Sequence, residues 1–209
     1  YQMRNWYYFN WLCGDHIAEQ HIHNLDVGNW VMGGYPTECQ GMGGREVRKG
    51  IDHGEIYDHH ALEYTYADGT KMQSHCRHQG GTWSSVSEHV HGALGTCNVG
   101  AGRMQLYTGE EWRWRGEGAD PYQVEHDVLF AAVRSGAAHD EAENGAMSTL
   151  TAIMGRLATY GGQVVTLDEA LNSTLELRPT KYAFDGVPPT VPDEHGHYPI
   201  AVPGQTRVV

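Results

Sequence analysis

Residues 56–77, IYDHHALEYTYADGTKMQSHCR, decide the fold. His60, Leu62, Tyr64 and Tyr66 fall on one side of an extended chain and His59, Ala61, Glu63 and Thr65 on the other, the period of two expected of a half-buried strand. Asp68-Gly69 is a hairpin-turn dipeptide, so KMQSHCR should return antiparallel to the first strand. The same grammar continues downstream. SSVSEHVHGALGTCNV (84–99) reads as one or two strands punctuated by Gly92 and Gly95, and RMQLYTGEEWRWR (103–115) as a hairpin about Thr108-Gly109. Short strands in succession, joined by tight turns, make an antiparallel sheet.

Helical periodicity flanks this region. From Asp15, a good N-cap, to Met32 the apolar residues Ala18, Ile22, Leu25 and Val31 recur near helical spacing before Gly33-Gly34 and Pro36 end the pattern. Asp120-Pro121 supplies a cap and an N1 proline for a helix carrying Val124, Val128 and Ala131 on one face and stopping at Gly136. Residues 146–160 place Met147, Leu150, Met154 and Leu157 on one stripe, and Thr166 with Glu169 forms a capping box for a short last helix. The glycine clusters GGYP (33–36) and GMGG (41–44) read as turns, because neither follows a strand and opens a helix as a dinucleotide fingerprint must. The expected fold class is α+β, a largely antiparallel open sheet with helices packed on one face. Residues 1–178 form the expected domain, and 179–209, with five prolines from Pro188 to Pro203, an irregular arm.

Composition narrows the function. Among 209 residues, 26 Asp and Glu face 14 Lys and Arg, a formal charge of −12 that offers no basic field for phosphates, so nucleic acid and anionic membrane are not expected partners. The longest purely apolar run is Leu129 to Val133, far below the roughly 20 residues of a membrane span. Cys13, Cys39, Cys76 and Cys97 are widely spaced without C-x-x-C, so unpaired thiols are expected. The opening YQMRNWYYFNW has no basic segment leading into an apolar stretch and is not a signal peptide.

One constellation could carry acid–base chemistry. On a continuous helix Glu19, His23 and Asp26 recur at i, i+4 and i+7, with Trp30 one turn further, bringing an imidazole within reach of two carboxylates. A solvated polar face is the alternative. Arg77, His78 and Trp83, after the second strand, set an aromatic platform beside a guanidinium, against which stand a turn-capping Arg and a buried Trp. His89 and His91 share a strand face, but two ligands do not close a metal site, and a third would have to come from Asp58, His59, His60, His75 or His78; the expectation is no metal. Tyr64, Tyr66, Trp112 and Trp114, alternating along two strands, suit either a core or an interface.

The runs GDHIAEQHIHNLDVGNWVMGG (14–34), IYDHHALEYTYADGTKMQSHCR, TWSSVSEHVHGALGT (82–96), DPYQVEHDVLFAAVRSG (120–136) and STLTAIMGRLATYGGQVVTLDEAL (148–171) resemble, in order, the C-terminal domain of the Gfo/Idh/MocA oxidoreductases. The resemblance implies a dihydrodipicolinate/glyceraldehyde-3-phosphate dehydrogenase-like C-terminal domain that binds a sugar, sugar derivative or cyclic polyol, with NAD or NADP held by an N-terminal Rossmann domain. The family's acidic-x-x-x-His pattern falls on Glu19 and His23, with Glu in place of the usual Asp, and the following His-x-x-Asp on His23 and Asp26. His23 would then exchange the proton of the alcohol, Glu19 would position substrate or imidazole, and Asp26, Arg77, His78 and Trp83 would line the substrate face. Lys49, Lys71 and Lys181 do not match the lysine motif of the family's nucleotide domain, and the first strand of its sheet has no counterpart. A fragment of a longer enzyme is therefore expected, homo-oligomeric through the open sheet face; the alternatives are a non-catalytic carbohydrate-binding or oligomerisation module and a histidine-based metal enzyme. A cytoplasmic location is favoured, with export by an upstream signal as the alternative.

Overall fold

His60, Leu62 and Tyr64 are buried while their neighbours His59, Ala61 and Glu63 are only partly covered, so the alternation read from residues 59–65 is the alternation in space. The structure, a computed structural model, describes residues 1–209 apart from the side chain of Asp52. In chain order its elements are α1 (Asn10–Cys13), α2 (His16–Glu19), α3 (Ile22–Met32), β1 (Glu38–Gly44), β2 (His59–Thr65), β3 (Lys71–Arg77), β4 (His89–His91), β5 (Gly95–Asn98), β6 (Arg103–Leu106), β7 (Glu111–Arg113), α4 (Pro121–Ser135), α5 (Ala142–Gly161), β8 (Val165–Thr166) and α6 (Leu167–Leu171). They divide into two compact units, residues 1–83 with 147–209, and residues 84–146. The antiparallel strands are thus shared between two four-stranded sheets, ordered β3-β2-β1-β8 and β4-β5-β6-β7.

In the first unit the hairpin forms as its turn dictates, with His60 opposite Cys76, Leu62 opposite Ser74 and Tyr64 opposite Met72. β1 lies on the other side of β2, pairing Gly41 with Leu62 and Gly43 with His60. The GMGG segment is therefore part of a strand paired with β2, not a turn. Glycine has low strand propensity and offers no side-chain alternation, which hides such a strand from a periodicity argument. Packing explains the choice: a Cβ on Gly41 would sit 2.4 Å from the Ala61 carbonyl oxygen, and one on Gly43 would sit 2.6 Å from that of His59.

The helix expected from Asp15 to Met32 is broken. α2 ends at Gln20 (φ −122°, ψ −49°), and the His21 amide bonds five residues back to the His16 carbonyl at 3.1 Å. That extra residue shifts the helical phase, so Glu19 and His23 are not successive turns of one stripe. The reason is tertiary: the His21 ring reaches Ser74 of β3, with Nε2 2.7 Å from Oγ.

α5 covers the buried face of β2, and its own glycine permits the close approach. A Cβ on Gly155 would fall 2.2 Å from the Tyr64 hydroxyl, 2.7 Å from Leu62 Cδ1 and 2.9 Å from Ile17 Cδ1. Around this contact Ile17, Leu25, Cys39, Tyr57, Ala152, Met154, Leu157 and Val165 complete a core that also takes in Val208 from the chain's end. Beyond α6 the backbone is irregular, held to the unit where the Tyr57 hydroxyl donates to the Ala201 carbonyl at 2.9 Å and the Gly204 amide to that of Gly161 at 2.7 Å.

In the second unit β5 and β6 pair Cys97 with Met104, and β6 and β7 pair Met104 with Trp112. Asp120 caps α4 by accepting the Tyr122 amide at 3.0 Å, and Gly136 ends it with φ 69°. No described residue from 84 to 146 is buried. Among the described residues no helix is long and apolar enough to cross a membrane.

Gly155→Ala tests the packing of α5 on β2. Helix propensity alone would stabilise the variant by about 1 kcal/mol. Overpacking against the fully buried Tyr64 should reverse that sign and leave a net loss of about 1–2 kcal/mol, or several degrees in Tm. A thermal melt equal to or above wild type would contradict the close contact.

Candidate functional site

The site is organised by a carboxylate at the start of α2. Gly14 turns the chain with φ 75°, and Asp15 follows at φ 74°, ψ 159°, a region that only glycine ordinarily occupies and that costs about 1–3 kcal/mol for other residues. The surroundings hold it there. Asp15 accepts the His16 amide, and its Oδ2 accepts the Tyr57 amide at 3.1 Å and the Tyr160 hydroxyl at 2.6 Å. Its Oδ1 lies 2.7 Å from His16 Nδ1 and 3.4 Å from His60 Nε2. All three side chains are buried. Burial opposes ionisation of Asp15, yet the nearby His60 and His16 outweigh it and hold the carboxyl well below the usual carboxylate range. Burial, reinforced by Asp15, pushes the Tyr160 hydroxyl well above its ordinary value, so it stays a donor.

A second carboxylate shapes the neighbouring loop. Asp58 Oδ2 accepts the amides of Glu46, Val47 and Arg48 at 2.7, 2.7 and 3.0 Å, while Oδ1 lies 2.7 Å from His59 Nδ1. Burial again opposes ionisation, but these donors prevail and lower the carboxyl. The loop presents Arg48, whose guanidinium lies over the rings of Tyr7 and Tyr8 at 5.7 and 5.5 Å. The Asp58 carbonyl accepts the His78 amide at 2.8 Å, fixing the end of β3 beside that loop.

Tyr7 meets one of the groups singled out from sequence, His78. Its hydroxyl donates to Gln20 Oε1 at 3.1 Å and lies 3.1 Å from His78 Nδ1, with the two rings stacked. The turn between α2 and α3 and the end of β3 thus meet at one edge of the first unit. Burial, with the charges of His16 and Arg48, lowers His78 to about 4, so its imidazole is neutral at neutral pH. Glu19 is half-buried, and its Oε2 is covered without a hydrogen-bond partner among the described residues. His23 is exposed on the first turn of α3. Asp26 accepts the Ser148 hydroxyl instead of turning to His23. Arg77 donates to the Trp83 carbonyl at 2.8 Å and so closes the loop that follows β3, leaving the Trp83 ring 78% exposed.

Tyr7, Gln20, Arg48, Tyr160, Asp15 and His16 were not singled out as functional by sequence. The first two carry no motif. Asp15 is legible as a cap but not as the hub of a buried cluster, because its partners Tyr57 and Tyr160 lie 42 and 145 residues away.

No family model matches the sequence, and no curated protein matches it. Solved structures do. The aldose-aldose oxidoreductase of Caulobacter crescentus, complexed with glycerol, superposes with TM-score 0.63 at 15% identity, over 78% of this chain and 50% of its own. The fold is shared with that enzyme. A levoglucosan dehydrogenase in complex with NADH and levoglucosan gives TM-score 0.61 at 12% identity, over 77% of this chain and 53% of its own. The scyllo-inositol dehydrogenase of Lactobacillus casei, with NAD(H) and scyllo-inositol, gives 0.55 at 16%, over 71% and 47%. These neighbours are oxidoreductases of the Gfo/Idh/MocA type, and the matching part is their C-terminal domain. The chain spans about half their length.

A nicotinamide dinucleotide is ordinarily cradled by a parallel βαβ unit with a glycine-rich turn opening a helix. Both sheets here are antiparallel and the glycines of β1 lie inside a strand, so the described residues form no such cradle.

Asp15→Asn removes the ionised acceptor from a buried cluster and should cost about 3 kcal/mol at neutral pH, lowering Tm by roughly 6–12 °C. The folded carboxyl is depressed, so its contribution is complete above about pH 5 and is withdrawn as pH falls below the ordinary Asp value of about 4. Melts of both proteins between neutral and acidic pH should therefore converge on acidification. Equal stability at pH 7 would show that the carboxylate is dispensable.

Proposed function

We propose that this chain is the substrate half of an NAD(P)-dependent oxidoreductase interconverting alcohol and ketone on a sugar, sugar derivative or cyclic polyol, the nucleotide being held by residues outside these 209. The observation that carries the reading is the fold: it is the half that lies C-terminal in enzymes whose bound molecules are glycerol, levoglucosan and scyllo-inositol. The edge joined by Tyr7 supports it, since a neutral polyhydroxylated ring needs convergent donors and acceptors rather than charge.

In this reading His23 exchanges the proton of the reacting hydroxyl, as an exposed imidazole can. Glu19, with an unpartnered oxygen, accepts from a neighbouring hydroxyl. Neutral His78 offers a donor or acceptor on the same edge, Trp83 an exposed ring face, and Arg77 holds the Trp83 loop. Asp26 supports α3 through Ser148.

NMR titration of the 209-residue chain with scyllo-inositol and levoglucosan tests the site without a nucleotide. Shifts should concentrate at Tyr7, Gln20, His23 and His78, and His23→Ala should weaken binding by up to about tenfold, the worth of one hydrogen bond. Absence of binding, or shifts confined to residues 84–146, would defeat the proposal.

We further propose a homo-oligomer in which a second copy covers the sheet of the second unit. That unit buries none of its described residues, while Trp112 and Trp114 are 52% and 63% exposed and Val124, Val128 and Phe130 about half exposed. Exposed apolar side chains in this number are characteristic of an interface. Light scattering should find a dimer or larger assembly, and Trp112→Glu with Trp114→Glu should shift it to monomer; a monomeric wild-type protein at about 50 μM would exclude an interface of ordinary strength.

A further inference from the structure

The buried cluster beneath the proposed substrate edge has unfinished chemistry. His16 Nδ1, His16 Nε2 and His60 Nε2 are all buried with no hydrogen-bond partner, although Asp15 Oδ1 is 2.7 Å from the first and 3.4 Å from the last. The contacts lack hydrogen-bond alignment. Each buried polar group left unpaired costs about 1–3 kcal/mol, and each of the two neutral imidazoles has one lone pair, so the cluster calls for a ligand that accepts one from each ring.

The remaining atoms are arranged as supports. His60 presents Nε2 inward because its Nδ1 is held 3.0 Å from the Thr159 hydroxyl oxygen. Asp15 turns Oδ1 toward the two imidazoles: Oδ2 is occupied by the Tyr57 amide and the Tyr160 hydroxyl, and Oδ1, which accepts the His16 amide, keeps a second lone pair. Ligating histidines and carboxylates are oriented in this way, the non-ligating atom tied to a neighbour. One ligand atom each from Asp15, His16 and His60 lies within 4.8 Å of the others.

We infer that Asp15, His16 and His60 form a binding site for a first-row divalent transition-metal ion of the zinc class. Two imidazoles and one carboxylate are borderline donors that favour such an ion over calcium or magnesium, which prefer oxygen throughout. Three protein ligands leave a fourth position for water or for an oxygen of a bound molecule. The ion joins α2 to β2 under α5, so its minimal role is to hold the N-terminal segment against the sheet. The inference is independent of the oxidoreductase reading, since neither depends on the other's residues for its chemistry.

The test uses the full chain, stripped with a chelator and titrated with Zn²⁺, then with Co²⁺ as a visible reporter. One equivalent should resist a weak competing chelator, raise Tm, and give with Co²⁺ the absorption of a four- or five-coordinate ion. His16→Gln and His60→Gln should each abolish that equivalent, whereas His89→Gln with His91→Gln, an exposed pair, should keep it. X-ray absorption of the wild-type zinc protein needs no variant and should show two imidazoles with oxygen completing the shell. No chelator-resistant equivalent, retention of it in both His16→Gln and His60→Gln, or a shell containing sulfur or three imidazoles would overturn the site.

Discussion

The ionised carboxylate of Asp15, buried and pinned between α2, β2 and α5, is the interaction on which the first unit depends. Its oxygens gather the start of α2 through the His16 amide, the segment entering β2 through the Tyr57 amide, and the end of α5 through the Tyr160 hydroxyl. A charge removed from water this completely is tolerable only when several donors surround it. The donors come from three elements, so the carboxylate enforces their mutual placement. The unfavourable backbone at Asp15 is the local cost of putting it there.

The glycine contact between α5 and β2 follows from the same constraint. With Tyr160 drawn to Asp15, the preceding turn of α5 must lie close on the sheet, and Gly155 removes the side chain that would prevent it. Gly41 and Gly43 relieve the crowding between β1 and the β2 backbone. The small residues and the buried charge act together: one sets how near the helix comes, the other how it is aligned.

The candidate substrate edge is assembled above this cluster from pieces remote in sequence. Tyr7, Gln20 and His78 meet through one hydroxyl, and Asp58 orders the Arg48 loop and the end of β3 beside them. The Asp58 carboxylate holds the Arg48 loop through three amides, and its main-chain carbonyl holds the end of β3, a rigid support for the edge. The His23 side chain is exposed, and Glu19 keeps an oxygen without a hydrogen-bond partner among the described residues.

The sequence by itself determined the hairpin of β2 and β3, the short strands of the second unit, the capped starts of α4 and α6 and the acidic character of the chain. These depend on period, turn residues and caps, which act over a few positions. It also selected Glu19, His23 and His78 as residues of interest. Only the tertiary structure decided that GMGG is a strand, that the helix after Asp15 breaks at Gln20 and His21, and that Asp15 sits among His16, His60 and Tyr160. Each of these rests on contacts between segments tens of residues apart, between a side-chain-free strand and its neighbour, a histidine and a serine on β3, or a carboxylate and a distant hydroxyl. Local propensity carries no record of such contacts, because their free energy exists only once the sheet and α5 have come together.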